Sequence, residues 1–254
     1  MEKLIEKRLD RSKQDHWKVT KYQYTGLQGV PHVNAVGAPS GLFPIIPKIG
    51  QVGSTQVAGV IQQDNIESRE GNSVKLKSIT CNLNLLLSPT YSSETPSNAS
   101  IRYRVIVLSC KKYSQYNTLV NNFFDTAGSD NLQDSLLRDG ASAVPWDENM
   151  ENFDLPVNTD MFTVHAQKTG KLNRGQNVGD VGEGYTINPM ANVTLKLRIK
   201  CKSKQLKYDT PDSTLPTNFN PLIWVGYKAY DGTLLHSGNF FKVVGNSVIH
   251  WEDM

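Results

Sequence analysis

Apolar and polar residues alternate strictly in one stretch of the chain, Val193–Lys202. The apolar parity carries Val193, Leu195, Leu197, Ile199 and Cys201. The other parity carries Thr194, Lys196, Arg198, Lys200 and Lys202. Successive side chains of a β-strand point to opposite faces, so the pattern predicts a strand with one apolar and one cationic face. It therefore indicates a sheet that is buried on one side and solvated on the other.

A second stretch, Asn72–Ser88, changes parity along its length. Its apolar residues follow one alternation up to Leu76 and the opposite alternation from Ile79 onward. This change predicts, near Lys77-Ser78, either a β-bulge, where one extra residue shifts the register, or a strand that switches sheets. Further strands are predicted at Ile101–Cys110, Met161–Gln167, Val193–Tyr208, Pro221–Tyr230 and Phe240–Trp251. The first of these is almost continuously apolar, which is typical of a central strand.

Together these elements predict an all-β fold, an antiparallel jelly-roll sandwich with long loops, because strands do not alternate with helices. One insertion has apolar residues at helical spacing, which predicts short helical turns at Thr118–Asp125 and Asn131–Arg138. A turn at Thr169-Gly170 is expected to close the strand before it. We predict an N-terminal arm and extended segment at 1–53 and a jelly-roll domain at 54–254.

Composition fits a globular chain of 254 residues, with 38% hydrophobic and 20% charged residues. The net charge is only +3, so the whole chain is not strongly cationic. Charge is nevertheless uneven along the sequence. Six cations and no acid lie between Lys196 and Lys207, whereas five acids and no base lie between Asp147 and Asp160.

Motifs for catalysis are absent from the sequence: it contains no Walker loop, HExxH or GxSxG, and its five histidines are scattered. We therefore expect no enzyme, no cofactor and no zinc site. The three cysteines are predicted to be buried free thiols. No apolar run is long enough to span a bilayer, and no signal peptide is expected. The acidic stretch Trp146–Asp154 suits a hard cation such as Ca²⁺, but a solvated loop is favoured.

Basic residues are the remaining candidates for a binding function, because Lys and Arg on a strand face can hold phosphates without reading bases. The candidates are Lys196, Arg198, Lys200, Lys202 and, in the N-terminal segment, Lys3, Lys7, Arg8, Arg11 and Lys13. The alternative is that such lysines only solvate a strand. Arg102 with Arg104 repeats the spacing on another strand. Trp17 is a candidate for stacking on bases, or for packing in the core or against another subunit.

Arg69–Ile79, with the sequence R-E-G-N-S-V-K-L-K-S-I, resembles the first core strand of a known family. That family comprises the capsid proteins of circular, Rep-encoding single-stranded DNA (CRESS-DNA) viruses. Ile101–Leu108, Leu155–Leu172 and Phe240–Asp253 resemble later strands of the same family in the same order. The resemblance extends from about Val57 to the last residue.

The resemblance implies a coat protein that self-assembles into an icosahedral homo-oligomer, with 60 copies around a circular single-stranded DNA genome. By the same analogy the basic residues face the lumen, no part inserts into a membrane, and the protein resides in the virion. Assembly is expected inside the host cell; the family admits nuclear assembly, but no run of consecutive Lys or Arg supplies an import signal. The sequence does not indicate a host receptor. The dense arginine-rich arm usual in the family is also missing here.

Two alternatives remain open from the residues themselves. A coat protein of a small RNA or satellite virus would use the same architecture, and phosphate contacts do not distinguish RNA from DNA. A carbohydrate-binding jelly roll would need aromatic residues and carboxylates on one concave sheet face. Its support is Trp146, Trp224 and Trp251 with the acids near position 150.

Overall fold

The structure, a computed structural model, describes most of the chain's strands and several connecting segments. The described residues are 15–24, 42–49, 51, 69, 71–87, 101–115, 118–119, 132, 134–144, 153–172, 192–201, 204–229 and 241–253. Within them lie eleven strands: β1 (Asp15–Tyr24), β2 (Leu42–Pro44), β3 (Ser73–Leu87), β4 (Ile101–Cys110), β5 (Leu137–Asp139), β6 (Ser142–Val144), β7 (Phe162–Leu172), β8 (Asn192–Lys200), β9 (Gln205–Lys207), β10 (Leu222–Ala229) and β11 (Phe241–Asp253).

Two antiparallel sheets form a sandwich. Sheet A has the order β1-β11-β3-β8, with β9 also beside β3, and sheet B has the order β2-β10-β4-β7. Apart from the short strands β5, β6 and β9, the pairs are first with last, second with seventh, third with sixth and fourth with fifth. A long antiparallel hairpin rolled upon itself produces this pairing, which is the jelly-roll topology. The predicted all-β jelly-roll sandwich is confirmed.

Two strands of the sandwich lie within the first 53 residues, the range predicted as an arm and extended segment. β1 pairs with β11 along its whole length, and β2 pairs with β10. After β2, Ile45 and Ile46 enter the core between the sheets. The sheets therefore contain strands from both sides of the predicted boundary. The segment Arg69–Ile79 accordingly leads into the third strand of the sandwich, not into the first core strand as the resemblance implied.

The predicted β-bulge in β3 is confirmed. Ser78 pairs with His250, but the next pair along is Leu76 with Trp251, so Lys77 is the extra residue. Leu76 and Ile79 are both fully buried, although they differ in parity. The bulge therefore keeps the apolar side of β3 on the core through the whole length of the strand.

The central strands of sheet B, β4 and β10, are buried on both faces, whereas the edge strand β7 is largely exposed. The inner face of the sheet packs against sheet A through residues such as Val105, Val107 and Ile223. Its outer face packs against the insertion between β4 and β7. This second cluster comprises Ile106, Leu108, Cys110, Leu119, Leu132, Leu136, Leu137, Phe153, Val157, Phe162, Leu222 and Trp224. The continuous apolar run of β4 is explained, because the strand is central and covered on both sides.

The insertion is folded differently from its prediction. Only residues 118 and 119 of the first predicted helical turn are described, and they are helical. The second helical turn, predicted at Asn131–Arg138, is wrong at its end, because Leu137 and Arg138 belong to β5. β5 pairs with β6 in a hairpin, and Leu137 also bridges to Val157. Strand pairing satisfies the backbone here, while the leucines at helical spacing remain buried.

The turn predicted at Thr169-Gly170 is wrong, since β7 continues to Leu172. Gly170 pairs with Tyr103 of β4. A Cβ atom at position 170 would lie only 2.3 Å from the Tyr103 hydroxyl oxygen. The glycine is therefore required by the close approach of a tyrosine ring across the sheet, and not by a turn.

Arg104 anchors the insertion to sheet B. Its side chain is 3% exposed, and its Nη1 donates hydrogen bonds to the carbonyl oxygens of Phe153 (2.8 Å) and Leu155 (2.7 Å). Its Nη2 donates to Oε1 of Gln167 on β7 at 3.4 Å. A guanidinium group offers several donors in a fixed plane, so it can bind two strands and a loop at once.

Arg69, the first residue of the quoted R-E-G-N motif, is also structural. It is fully buried and donates hydrogen bonds to the carbonyl oxygens of Thr210, Pro211 and Ser213 at 2.9–3.0 Å. Its guanidinium carbon lies 4.1 Å from the centroid of the Tyr208 ring. The motif therefore holds the loop after β9 against the start of β3.

Replacing Arg104 by Gln is expected to lower the free energy of unfolding by about 3 kcal/mol, because buried carbonyl groups would lose charged donors. Chemical denaturation of the subunit measures this change. The matched control is Arg102→Gln, two residues away on the same strand. Arg102 forms an ion pair with Asp154 that is partly exposed, with 26% and 59% of the two side chains accessible. The substitution Arg102→Gln should therefore lower the free energy of unfolding by less than about 1 kcal/mol. Equal losses for the two variants would contradict the anchoring role of Arg104.

Candidate nucleic-acid interface

The outer face of sheet A carries the cationic strand. On β8, Leu197 and Ile199 are buried, whereas Thr194, Lys196 and Arg198 are exposed. The alternation predicted for this stretch is therefore confirmed. Unlike the outer face of sheet B, this face has no covering layer among the described residues. We call it the open face; it comprises the outward-facing residues of β1, β11, β3 and β8.

Small polar side chains fill the centre of the open face. Lys196 pairs with Asn82, which pairs in turn with Asn246, and the Nδ2 of Asn82 donates a hydrogen bond to the Oδ1 of Asn246 at 3.0 Å. In the neighbouring row Arg198 pairs with Thr80. These central residues are half-buried. The amide ladder gives the face hydrogen-bonding groups beside its cations.

Among the residues whose side chains the structure describes, charge on the open face is mostly positive. The acid among those side chains is Glu252, whose Oε1 lies 2.5 Å from the Nζ of Lys77; Asp15 of β1 pairs with Glu252 in the register. That ion pair neutralises both groups. Lys196 and Arg198 form no ion pair with any described residue, so their charges remain available to a ligand.

The structure describes only some of the candidate basic residues. Lys200 is the last residue of β8 and pairs with Ser78 in the register. Lys202 lies outside the described residues, as do Lys3, Lys7, Arg8, Arg11 and Lys13. The structure thus places Lys196 and Arg198 on the open face and leaves the N-terminal candidates as predictions.

Arg102 and Arg104 do not extend the cationic face, although their spacing suggested a shared role. They lie on sheet B, where Arg104 binds the backbone of the insertion and Arg102 pairs with Asp154. Spacing alone could not distinguish the two sheets, because an i, i+2 pair of cations looks the same on any strand.

Trp17 stands at the opposite edge of the open face from β8. It is 44% exposed, and it pairs with His250, which is also exposed. Its neighbour His16 points the other way, is buried, and stacks on Trp251 with ring centroids 5.5 Å apart. The buried His16 therefore fixes the parity of β1 and directs Trp17 outward.

The amide and hydroxyl groups of the face were missed at the sequence level. Asn82, Asn246 and Thr80 look like ordinary polar positions of a half-buried strand in the sequence. The strand register places them beside Lys196 and Arg198, and only this placement makes them part of the candidate interface. Because these strands are distant in sequence, no local pattern could have revealed the group.

A second polar cluster lies beside β7. The Oγ of Ser109 lies 2.8 Å from Nε2 of His165, and the His165 ring meets Phe219 edge-on. Burial and the nearby positive charge of Lys204 lower the pKa of His165. Burial raises the pKa of the neighbouring Cys201 thiol to about 11, which keeps it protonated and unreactive.

Other kinds of site find little support. Trp224 and Trp251, on which the carbohydrate-binding alternative depends, are 8% and 0% exposed, so they do not line an open surface. In the described ranges, no group of three His, Cys, Asp or Glu side chains is placed to hold a metal ion. No helix in that same part of the chain is long and apolar enough to cross a membrane.

Comparison with known proteins adds little to this picture. No protein-family model matches the chain, and no curated protein matches it. One solved structure, titled "Israeli acute paralysis virus heated to 63 degree - full particle", aligns with 94% of this chain and 68% of its own. The identity is 9% and the TM-score 0.29, too low to bear on fold or function.

The His165 cluster makes the fold sensitive to acid. The pKa of His165 is lowered from 6.5, so below that pH the unfolded chain binds a proton that the folded protein does not. The free energy of unfolding should therefore fall as the pH drops from 6.5 toward the lower pKa of the folded state. Above pH 6.5 the imidazole is neutral in both states, so His165 should cause no pH dependence there. His165→Gln should flatten this part of a pH series of denaturation curves. The control is His250→Gln, at an exposed position, and an equal flattening there would contradict the assignment.

Proposed function

We propose that this protein is a viral capsid subunit whose copies assemble into a closed shell around a single-stranded DNA genome. It acts without catalysis. Strand faces build the sandwich, loops and edges build the subunit contacts, and the open face of sheet A binds nucleic acid through phosphate contacts.

The observation that carries the proposal is the asymmetry of the sandwich. One outer face is covered by an insertion that is packed and anchored by Arg104. The other is a largely polar sheet face, on which Lys196 and Arg198 form no ion pair with a described residue. A shell that encloses a polyanion needs such a difference between its outside and its inside.

The jelly-roll topology and the sequence resemblance to CRESS-DNA virus capsid proteins support the same proposal. In this orientation the open face lines the lumen and the insertion lies toward the exterior. The protein is then a component of the virion, and its principal binding partners are other copies of the same chain.

Assembly is the most direct test. The purified full-length chain should form closed particles of uniform size by negative-stain electron microscopy, with nucleic acid inside that survives external nuclease. Digestion of the extracted material with DNase and RNase separately then identifies the cargo. Particles that contain RNA would replace the DNA genome with that of an RNA virus. A chain that stays monomeric under every condition would contradict the proposal as a whole.

Neutralising the open face should reduce packaging without preventing assembly. In the double variant Lys196→Gln, Arg198→Gln, particles should form but contain less nucleic acid, because two phosphate contacts per subunit are lost. The ratio of absorbance at 260 nm to that at 280 nm measures the content of purified particles. The charge-matched control is Lys168→Gln, Lys171→Gln, which removes two exposed cations from β7 of sheet B. Equal packaging by the two double variants would show that the open face is not lumenal.

A further inference from the structure

We infer that the open face is a binding site for a single strand of nucleic acid that runs across the sheet. A base stacks on Trp17 at one edge, and the phosphates lie on Arg198 and Lys196 at the other. This inference rests on the proposed function and extends it, because phosphate contacts alone do not distinguish a single strand from a duplex.

The exposure of Trp17 is the first observation. Large aromatic side chains on a strand are normally buried, and Trp251 of the adjacent strand is fully buried. Trp17 is instead held outward, because His16 occupies the core side of β1 and stacks on Trp251. An indole presented on a cationic sheet face is the usual platform on which a nucleobase stacks.

The second observation is the placement of the cations relative to Trp17. β1 and β8 are separated by two strands, so the open face is about 14 Å wide from Trp17 to the cationic edge, at about 4.8 Å per strand. Trp17 and His250 occupy one row of the register, and Arg198 occupies the next row with Thr80. A strand of nucleic acid laid across the sheet therefore meets the aromatic group first and the cations afterwards.

The third observation concerns the surface between these two ends. The residues there are small or short: Thr80, Asn82, Asn246 and the apolar Val248, which pairs with Thr80, are half-buried and form a low, mostly polar floor. The Nδ2 of Asn82 donates a hydrogen bond to the Oδ1 of Asn246 within this floor. Amide and hydroxyl groups can bind sugar and base edges without fixing a sequence.

A duplex does not suit this arrangement. Its bases are stacked on one another and paired, so they offer no free face to Trp17, whereas its phosphates can still reach Lys196 and Arg198. Loss of the indole should therefore weaken binding of a single strand and leave the duplex unaffected. Loss of the cations should weaken both and reduce the salt dependence of each.

Fluorescence anisotropy tests this with the full-length chain and a labelled oligothymidylate of about eight nucleotides, with a duplex of the same length as comparison. Trp17→Ala should raise the Kd for the single strand about tenfold and leave the Kd for the duplex unchanged. Trp17→Phe should restore most of the affinity, since a phenyl ring still stacks. Lys196→Gln with Arg198→Gln should weaken both ligands and lower the salt slope for the single strand by about 1.4.

Photocross-linking locates the contact in the particle itself. Particles assembled with iodouracil-substituted oligonucleotide should give a cross-linked peptide containing Trp17 after irradiation, and Trp17→Ala should remove it. If the Trp17 variants bind both ligands like the parent chain and no cross-link forms, the stacking site is refuted. If Trp17→Ala prevents assembly but leaves oligonucleotide binding intact, Trp17 is a contact between subunits and the inference is likewise refuted.

The outcomes separate this inference from the proposed function. Particles that package nucleic acid through Lys196 and Arg198, but ignore Trp17, would leave the capsid proposal standing without the stacking site. A chain that never assembles, but loses single-strand affinity with Trp17→Ala, would leave a nucleic-acid-binding protein that is not a capsid subunit.

Discussion

Burial of β4 and β10, the central strands of sheet B, on both of their faces is the constraint on which the remaining structure depends. Sheet A covers one face, and the insertion between β4 and β7 covers the other. Because two apolar layers are used for this central sheet, sheet A has only one apolar side and must present a solvated one. Arg104 completes the arrangement by carrying charged donors to the insertion's carbonyl groups. The open face is thus polar because the two apolar clusters of the protein lie on either side of sheet B.

Much of the fold could be predicted from local pattern. Three local patterns predicted the strand β8, the β-bulge at Lys77 and the central strand β4. Each of these predictions is confirmed. Elements that depend on distant partners were harder. Gly170 looks like a turn residue until Tyr103 is placed beside it, and β1 becomes a strand through its pairing with β11. Neither partner is near in sequence.

The candidate site shows the same division. Lys196 and Arg198 were evident from alternation, because charged and apolar residues that share a strand must face opposite ways. Arg102 and Arg104 had the same spacing but lie on sheet B beside the insertion, where Arg104 is buried and Arg102 pairs with Asp154. The Asn82–Asn246 ladder and the position of Trp17 relative to β8 follow from register alone. Pairing across the whole chain therefore decides which charges become a surface and which become part of the core.

The pairing of β1 with β11 also has a kinetic consequence. The two strands lie far apart along the sequence, so closing sheet A requires contacts of very high sequence separation. During synthesis β1 emerges early, while β11, the last of the described strands, emerges late. β3 likewise waits for β11 on one side. Sheet A is therefore completed only after β11 has been synthesised, and a chain that still lacks β11 cannot present the finished open face.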